Sequence, residues 1–227
     1  ASARKGKKMH NVTVAFAALL VMLLSYFFGC FNGSFMVSHF IIRDDVRKHG
    51  SGNAGLTNFY RTYGAKYALL VIACDMGKTV AACLLGSFFF RCLGWDGTLG
   101  TLLAGLGCEL GHIFPVFYGF RGGKGILSGG TLVLLLNWRV AAVAWALFLL
   151  LWLTTRYVSL ASITATCSAP ITVYFVYGHN WLYTGLCLAV AALVVWCHRE
   201  NIQRLLHGTE KKFKWHVNPT EGKEPPQ

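Results

Sequence analysis

Seven apolar runs, separated by short stretches of glycine, amides and cations, leave this chain few ways to fold. They cover residues 12–40, 67–92, 97–117, 125–136, 138–153, 158–177 and 181–197. A helix of about 20 apolar residues crosses a bilayer, and most of these runs approach or exceed that length. With 55% of residues hydrophobic and 13% charged, the chain has too little polar sequence to cover a soluble core of its size. The expectation is an all-α integral membrane protein with seven transmembrane helices and polar cytoplasmic-side loops forming the active site. A basic segment at 1–11, a membrane domain at 12–205 and a tail at 206–227 complete the expected organisation.

The net charge of +12 raises nucleic acid as a partner. The cations, however, lie in short loops and the tail, not along one helix face or in one patch. They fit the positive-inside rule. With seven spans, Arg43, Arg47, Lys48, Arg61, Lys66, Arg121, Lys124, Arg156 and the tail cations share one side, while the opposite loops hold only Arg91 and Arg139. That side is assigned to the cytoplasm, although Arg4, Lys5, Lys7 and Lys8 then fall outside. Only Asn137-Trp138-Arg139 separates the fourth run from the fifth. Merging the two would divide the basic loops between both faces, so they are kept apart. The run from residue 12 is too long for a signal-peptide core and is read as a retained helix.

The eight cysteines form no Cys-x-x-Cys and lie mostly within apolar runs, so they read as small hydrophobes. No metal-ligand spacing is present, and no metal or cofactor is expected. In the third run, Gly100, Gly105, Gly107 and Gly111 would permit close helix approach.

The polar residues gather in four clusters, all on the side assigned to the cytoplasm. The first runs from Asp45 to Arg61 and contains Gly50, Ser51, Gly52, Asn53, Gly55 and Asn58. Glycine admits a ligand close to the backbone, exposed N–H groups suit anionic oxygens, and arginine grips phosphate bidentately. The second runs from Gly111 to Gly125, with His112, Phe114, Pro115 and the segment Gly122-Gly123-Lys124-Gly125. It is not a Walker A loop, because no glycine stands five residues before Gly123 and no hydroxyl follows Lys124. A glycine-flanked lysine ahead of a helix still suits a phosphate; a plain membrane-edge cation is the alternative. His112 is either a ligand-facing donor or a buttress for the Phe114-Pro115 turn.

The third cluster places Arg156 and Ser159 three residues apart, on one helical face. A snorkelling arginine and a packing serine would read the same way. The fourth gives His198 and Asn201 the same spacing at the end of the last run; an interfacial histidine and a helix-end amide are the competing reading. Asp75 and Lys78, three apart within the second run, must face the protein interior, where a structural pair is expected. No nucleophile elbow is present, so an enzyme built from these parts works by positioning and electrostatics.

Taken in order, these four clusters closely resemble the PlsY family, the bacterial membrane acyl-phosphate:glycerol-3-phosphate acyltransferases. The shared pattern is Gly-Ser-Gly-Asn-x-Gly with the following Thr-Asn-x-x-Arg, then His-x-Phe-Pro-x-Phe with Gly-Gly-Lys-Gly, Arg-x-x-Ser and His-Arg-x-Asn. Leu56 stands where the family usually has a small residue. The resemblance implies transfer of a fatty acyl group from acyl phosphate to the sn-1 hydroxyl of glycerol 3-phosphate, giving lysophosphatidic acid and phosphate. It implies a multi-pass protein of the bacterial inner membrane, with no metal and no acyl-enzyme. The partners expected are the two substrates and membrane lipids, with no nucleic acid and no obligate protein partner. Carried over by motif, Ser51, Arg61, Lys124, His198 and Asn201 are expected to be catalytic. Gly52, Asn53, His112, Gly123, Arg156 and Ser159 are expected to bind substrate. The alternative is a transporter of a phosphorylated small molecule, which would need paired inverted halves and a polar path through the midplane.

Overall fold

The computed structural model describes residues 2–214. The side chains of the basic 1–11 segment and the proline-bearing end of the expected tail, with Pro219, Pro225 and Pro226, lie outside the described residues. The helices are α1 (Ser2–Cys30), α2 (Gly33–Met36), α3 (Leu56–Tyr63), α4 (Ala68–Cys92), α5 (Gly97–Ile113), α6 (Ile126–Leu136), α7 (Trp138–Thr155), α8 (Val158–Val176), α9 (Trp181–Cys197) and α10 (Arg199–Leu206). A π-helical turn, Val37–Ile42, and two 3-10 turns, Val46–Lys48 and Val116–Tyr118, join them. No strand occurs among the described residues.

The all-helical membrane architecture is as expected, though fewer than seven helices reach the length of a span on their own. Five helical segments are long and apolar enough to cross a membrane, or six if α9 and α10, bent by 59°, count as one span. Beyond α9, which counts only together with α10, the shortfall lies in α6. Its 11 residues rise about 16 Å, against a hydrocarbon core of about 30 Å. The fourth and fifth runs nonetheless stay separate, as expected. Asn137 is extended (φ −165°, ψ 131°) and its side chain accepts from the Arg139 N–H, starting α7 as a new helix. Trp145 of α7 reaches back to donate to the Gly130 carbonyl of α6 at 3.3 Å.

α5 sits at the centre, with α1, α4, α6 and α9 packed against it. Its glycines make this possible. A Cβ at Gly107 would strike the Met22 carbonyl of α1, and one at Gly111 the Tyr26 carbonyl. Small side chains therefore let two backbones meet where lipid supplies no hydrophobic drive. α7 and α8 close the far side around Val140, Ala144, Val173 and Cys187. Leu150, Phe175 and Leu188 face outward, as a lipid-bathed surface requires.

The first apolar run is not one helix to residue 40. It breaks after Cys30, where Asn32 caps α2 by accepting from the Phe35 N–H. The break leaves carbonyls unpaired, and α4 supplies the remedy. Lys78 Nζ donates to the Gly29 and Phe31 carbonyls at 3.2 and 3.0 Å and pairs with Asp75 at 2.8 Å. Asp75 in turn accepts the Gly33 N–H at 3.0 Å. The deep ion pair is thus a clamp on a broken span, the structural role expected of it.

Successive helices alternate in direction, so one end of the bundle collects the end of α1, the starts of α4, α6 and α8, and the ends of α5, α7 and α9. At the opposite end Tyr177 Oη donates to the Leu136 carbonyl at 2.8 Å, tying α8 to α6.

Candidate active site

All four polar clusters stand at the first of these ends, and hydrogen bonds join them. The loop before α3 is built around Asn58. Its Oδ1 accepts the Ser51 N–H at 3.0 Å, and its Nδ2 donates to the carbonyls of Val46, His49 and Asn53 at 3.0–3.1 Å. Gly50 and Gly52 turn this loop with φ of 59° and 69°, the left-handed region open to glycine. Ser51 and Gly52 lie on its exposed rim. Asn53 Nδ2 and the Ala54 N–H both donate to the Gly122 carbonyl at 3.3 Å, joining this loop to the glycine-rich one.

The glycine-rich loop folds back on the end of α5, with the Gly123 N–H donating to the His112 carbonyl at 3.1 Å. The buried His112 ring lies beneath Gly123, where a Cβ would strike Nε2. On its other side Nδ1 stands 2.7 Å from Lys78 Nζ. Between the two readings left open for His112, the packing of its buried ring beneath Gly123 and against Lys78 favours the buttress. Glycine at 123 is what allows that support to sit so close. Gly125 (φ 80°) then turns the chain into α6.

Lys124 projects from this loop onto α10, where its ammonium donates to Asn201 Oδ1. Burial, then the nearby Arg204 charge, hold the Lys124 ammonium below the usual lysine value. Asn201 passes the contact on, donating through Nδ2 to Glu210 at 2.7 Å. The same carboxylate accepts from Ser159 Oγ at 2.8 Å and from Arg204 Nε at 2.7 Å. Burial pushes the Glu210 carboxyl up, but these donors outweigh it and hold it below the usual carboxylate range. Ser159 and Asn201 are therefore brought together as expected, but through an acid that the sequence reading did not single out.

Arg61, on α3, donates through Nη2 to the Lys211 carbonyl at 3.1 Å. Burial lowers its pKa, though guanidinium stays charged. Arg156 takes the left-handed conformation (φ 62°) that ends α7, and its carbonyl accepts the Phe213 N–H at 2.8 Å. Its side chain is exposed at the rim. His198 is buried at the α9–α10 bend, with Nδ1 2.8 Å from the Val194 carbonyl. A carbonyl accepts only from N–H, so Nδ1 carries the proton and the neutral ring offers Nε2 as an acceptor. Beside Gly52 a groove of about 680 Å³ opens, lined by Arg47, Lys48 and Arg121 among the rings of Phe35, Phe117 and Tyr118.

Three supports escaped the sequence reading. Glu210 is a lone acid in a basic stretch, which is itself a signal in a chain with only 9 acidic residues. Asn32, which also donates to the Ala54 carbonyl at 2.9 Å, is an amide followed by Gly-Ser inside an apolar run, the mark of a break. Asn58 belongs to the first motif, but nothing local distinguishes it from the other amides.

Fold and site together define a class: an all-helical membrane protein whose polar turns converge at one end of the bundle around lysine and arginine. A family profile described as Glycerol-3-phosphate acyltransferase matches residues 19–208, and the chain belongs to that family. A glycerol-3-phosphate acyltransferase of Syntrophomonas wolfei is 40% identical over 197 residues, 87% of this chain and 96% of the relative. One from Finegoldia magna is 37% identical over 196 residues, 86% and 96% of the two chains. Among solved structures, the glycerol 3-phosphate form of PlsY (YgiH), an integral membrane glycerol 3-phosphate acyltransferase, is 37% identical with a TM-score of 0.77. The match covers 87% of this chain and 96% of that one. The lysophosphatidic acid form of the same protein gives a TM-score of 0.74 at 36% identity, over 87% and 95% of the two chains.

Proposed function

We propose that this chain transfers a fatty acyl group from acyl phosphate to the sn-1 hydroxyl of glycerol 3-phosphate, releasing lysophosphatidic acid and inorganic phosphate. It would do so as a seven-pass protein of the bacterial inner membrane, with α6 as the short seventh pass and the site facing the cytoplasm. The observation that carries the reading is the joining of Lys124, Asn201 and Ser159, from three separate segments, through Glu210, with Arg61 bonded to the carbonyl of the next residue, Lys211.

Two phosphorylated reactants repel one another, and bringing them together requires several cations. Lys124, Arg61 and Arg156 supply that charge, and the Asn53 N–H, in the loop turned by Gly52, supplies a neutral donor. The sn-1 oxygen attacks the acyl carbonyl carbon. The bond from that carbon to the phosphate oxygen breaks, the phosphate leaves with the electron pair, and a phosphate oxygen takes the hydroxyl proton. No protein base or acyl-enzyme is needed. His198 Nε2, as an acceptor, orients the hydroxyl. Asn201 holds Lys124 in place, Ser51 hydrogen-bonds a phosphate at the rim, and His112 supports the loop from below.

The test supplies purified protein with labelled glycerol 3-phosphate and either acyl phosphate or acyl-CoA. Labelled lysophosphatidic acid with acyl phosphate alone is expected. Product with acyl-CoA alone would overturn the donor assignment, and no product with either would overturn the reaction.

A further inference from the structure

Residues 209–214 are not a loose end. They leave α10 through Gly208, in the left-handed region at φ 68°, and return across the mouth of the site. Along this strap Glu210 meets Asn201, Ser159 and Arg204, Lys211 gives its carbonyl to Arg61, and the Phe213 N–H meets the Arg156 carbonyl. The strap thus touches the α3, α8 and α10 parts of the site and the turn between α7 and α8.

Its end is anchored by one ring. Phe213 stacks on Tyr60, centroids 5.3 Å apart and planes 22° from parallel, and meets the edge of Trp152 at 5.3 Å and 76°. Tyr60 immediately precedes Arg61 on α3, and Trp152 lies on the last turn of α7, where its carbonyl accepts the Arg156 N–H at 2.9 Å. Each ring partner is therefore joined by backbone to one of the two site arginines. α3 has only eight residues, too short to hold its own shape in water. Arg156 sits in a conformation that L side chains resist. Both arginines need an outside hold, and the strap offers one to each.

We propose that Phe213 is a positioning residue for the acyl transfer: its ring, seated between Tyr60 and Trp152, fixes the strap that sets where Arg61 and Arg156 stand. The inference rests on the acyltransferase reading for its catalytic consequence. A ring that served only as a membrane-interface anchor would instead pack among lipid headgroups. It would have no reason to meet two site-bearing helices while its own N–H is bonded to the turn between α7 and α8.

The test compares full-length wild type, Phe213→Ala and Phe213→Tyr in detergent. It reads KM and kcat for glycerol 3-phosphate and amide hydrogen exchange over residues 56–63. In Phe213→Ala the KM is expected to rise about tenfold, with a smaller change in kcat, because a displaced arginine weakens substrate capture. Exchange over α3 is expected to quicken by about tenfold or more as its outside hold is lost. Phe213→Tyr should restore both. If the alanine variant yields no folded protein, Phe213→Leu, which fills the space without the ring, takes the same criteria. Faster exchange at an unchanged KM would overturn the positioning role, since the strap would then be structural only. An unchanged exchange rate would overturn the anchor itself, and that arm reads out even if the wild type shows no acyl transfer, which would count against the reaction and not against the anchor.

Discussion

Lys124 carries a charge in a half-buried place that disfavours it, and this makes the site sensitive to base. Its folded pKa lies below the ordinary lysine value, so its cationic form is complete at low pH and is lost as pH rises through that lowered value. The alkaline limb of kcat/KM for glycerol 3-phosphate is therefore expected below the usual lysine pKa of about 10.4, and Lys124→Arg should move it upward. Lys124→Ala should lower kcat/KM by about 10²–10³-fold, the scale of a lost charge-stabilising donor, without loss of folded protein. A variant within a few-fold of wild type would remove Lys124 from the site. Asn201 accepts from the same ammonium, so the two side chains should act as a unit. In a double-mutant cycle, Lys124→Ala with Asn201→Ala should cost less than the two single losses multiplied, by about tenfold. Independent effects would mean that Asn201 serves another group.

At the scale of elements, what the sequence made legible follows the solvent that each element meets. Long helices in lipid need continuous apolar runs, so α4, α7, α8 and α9 could be read almost to their ends. α3 and α10 have no such constraint. They are short, lie at the water boundary and mix Arg and Asn with apolar residues, so they read as loop. The break at Asn32 has a local sign in Asn32-Gly33-Ser34, but its remedy lies about 45 residues away, in the Asp75–Lys78 pair, and left none. The site motifs were legible as residue types at fixed spacing, whereas the bond from Ser159 to Glu210 joins residues 51 positions apart and left no local pattern. The clamp also makes a prediction of its own. Lys78→Met leaves Asp75 as a buried charge and the Gly29 and Phe31 carbonyls without their donor, at a cost of about 3–5 kcal/mol. Thermal unfolding in detergent should show it as a large fall in the midpoint. A midpoint near that of the wild type would mean that α1 holds its broken end by other means.

For the whole molecule, the alternation of helices separates a charged, functional end from a plain one. The 25 residues of α4 set the two ends about 37 Å apart. In a cysteine-free background, Gly94→Cys and Thr209→Cys should be labelled by a membrane-impermeant maleimide from opposite faces of sealed vesicles. Labelling from the same face would contradict the topology. Convergence is also the central claim, because Arg61, Lys124 and Asn201 come from three different turns and act on one ligand only if those turns meet around it. Equilibrium dialysis of labelled glycerol 3-phosphate against wild type, Arg61→Ala, Lys124→Ala and Asn201→Ala measures this most directly. The account predicts that each of the three substitutions weakens binding of that one ligand in a protein that is still folded. Weakening by one substitution, with the other two binding as the wild type does, would contradict it.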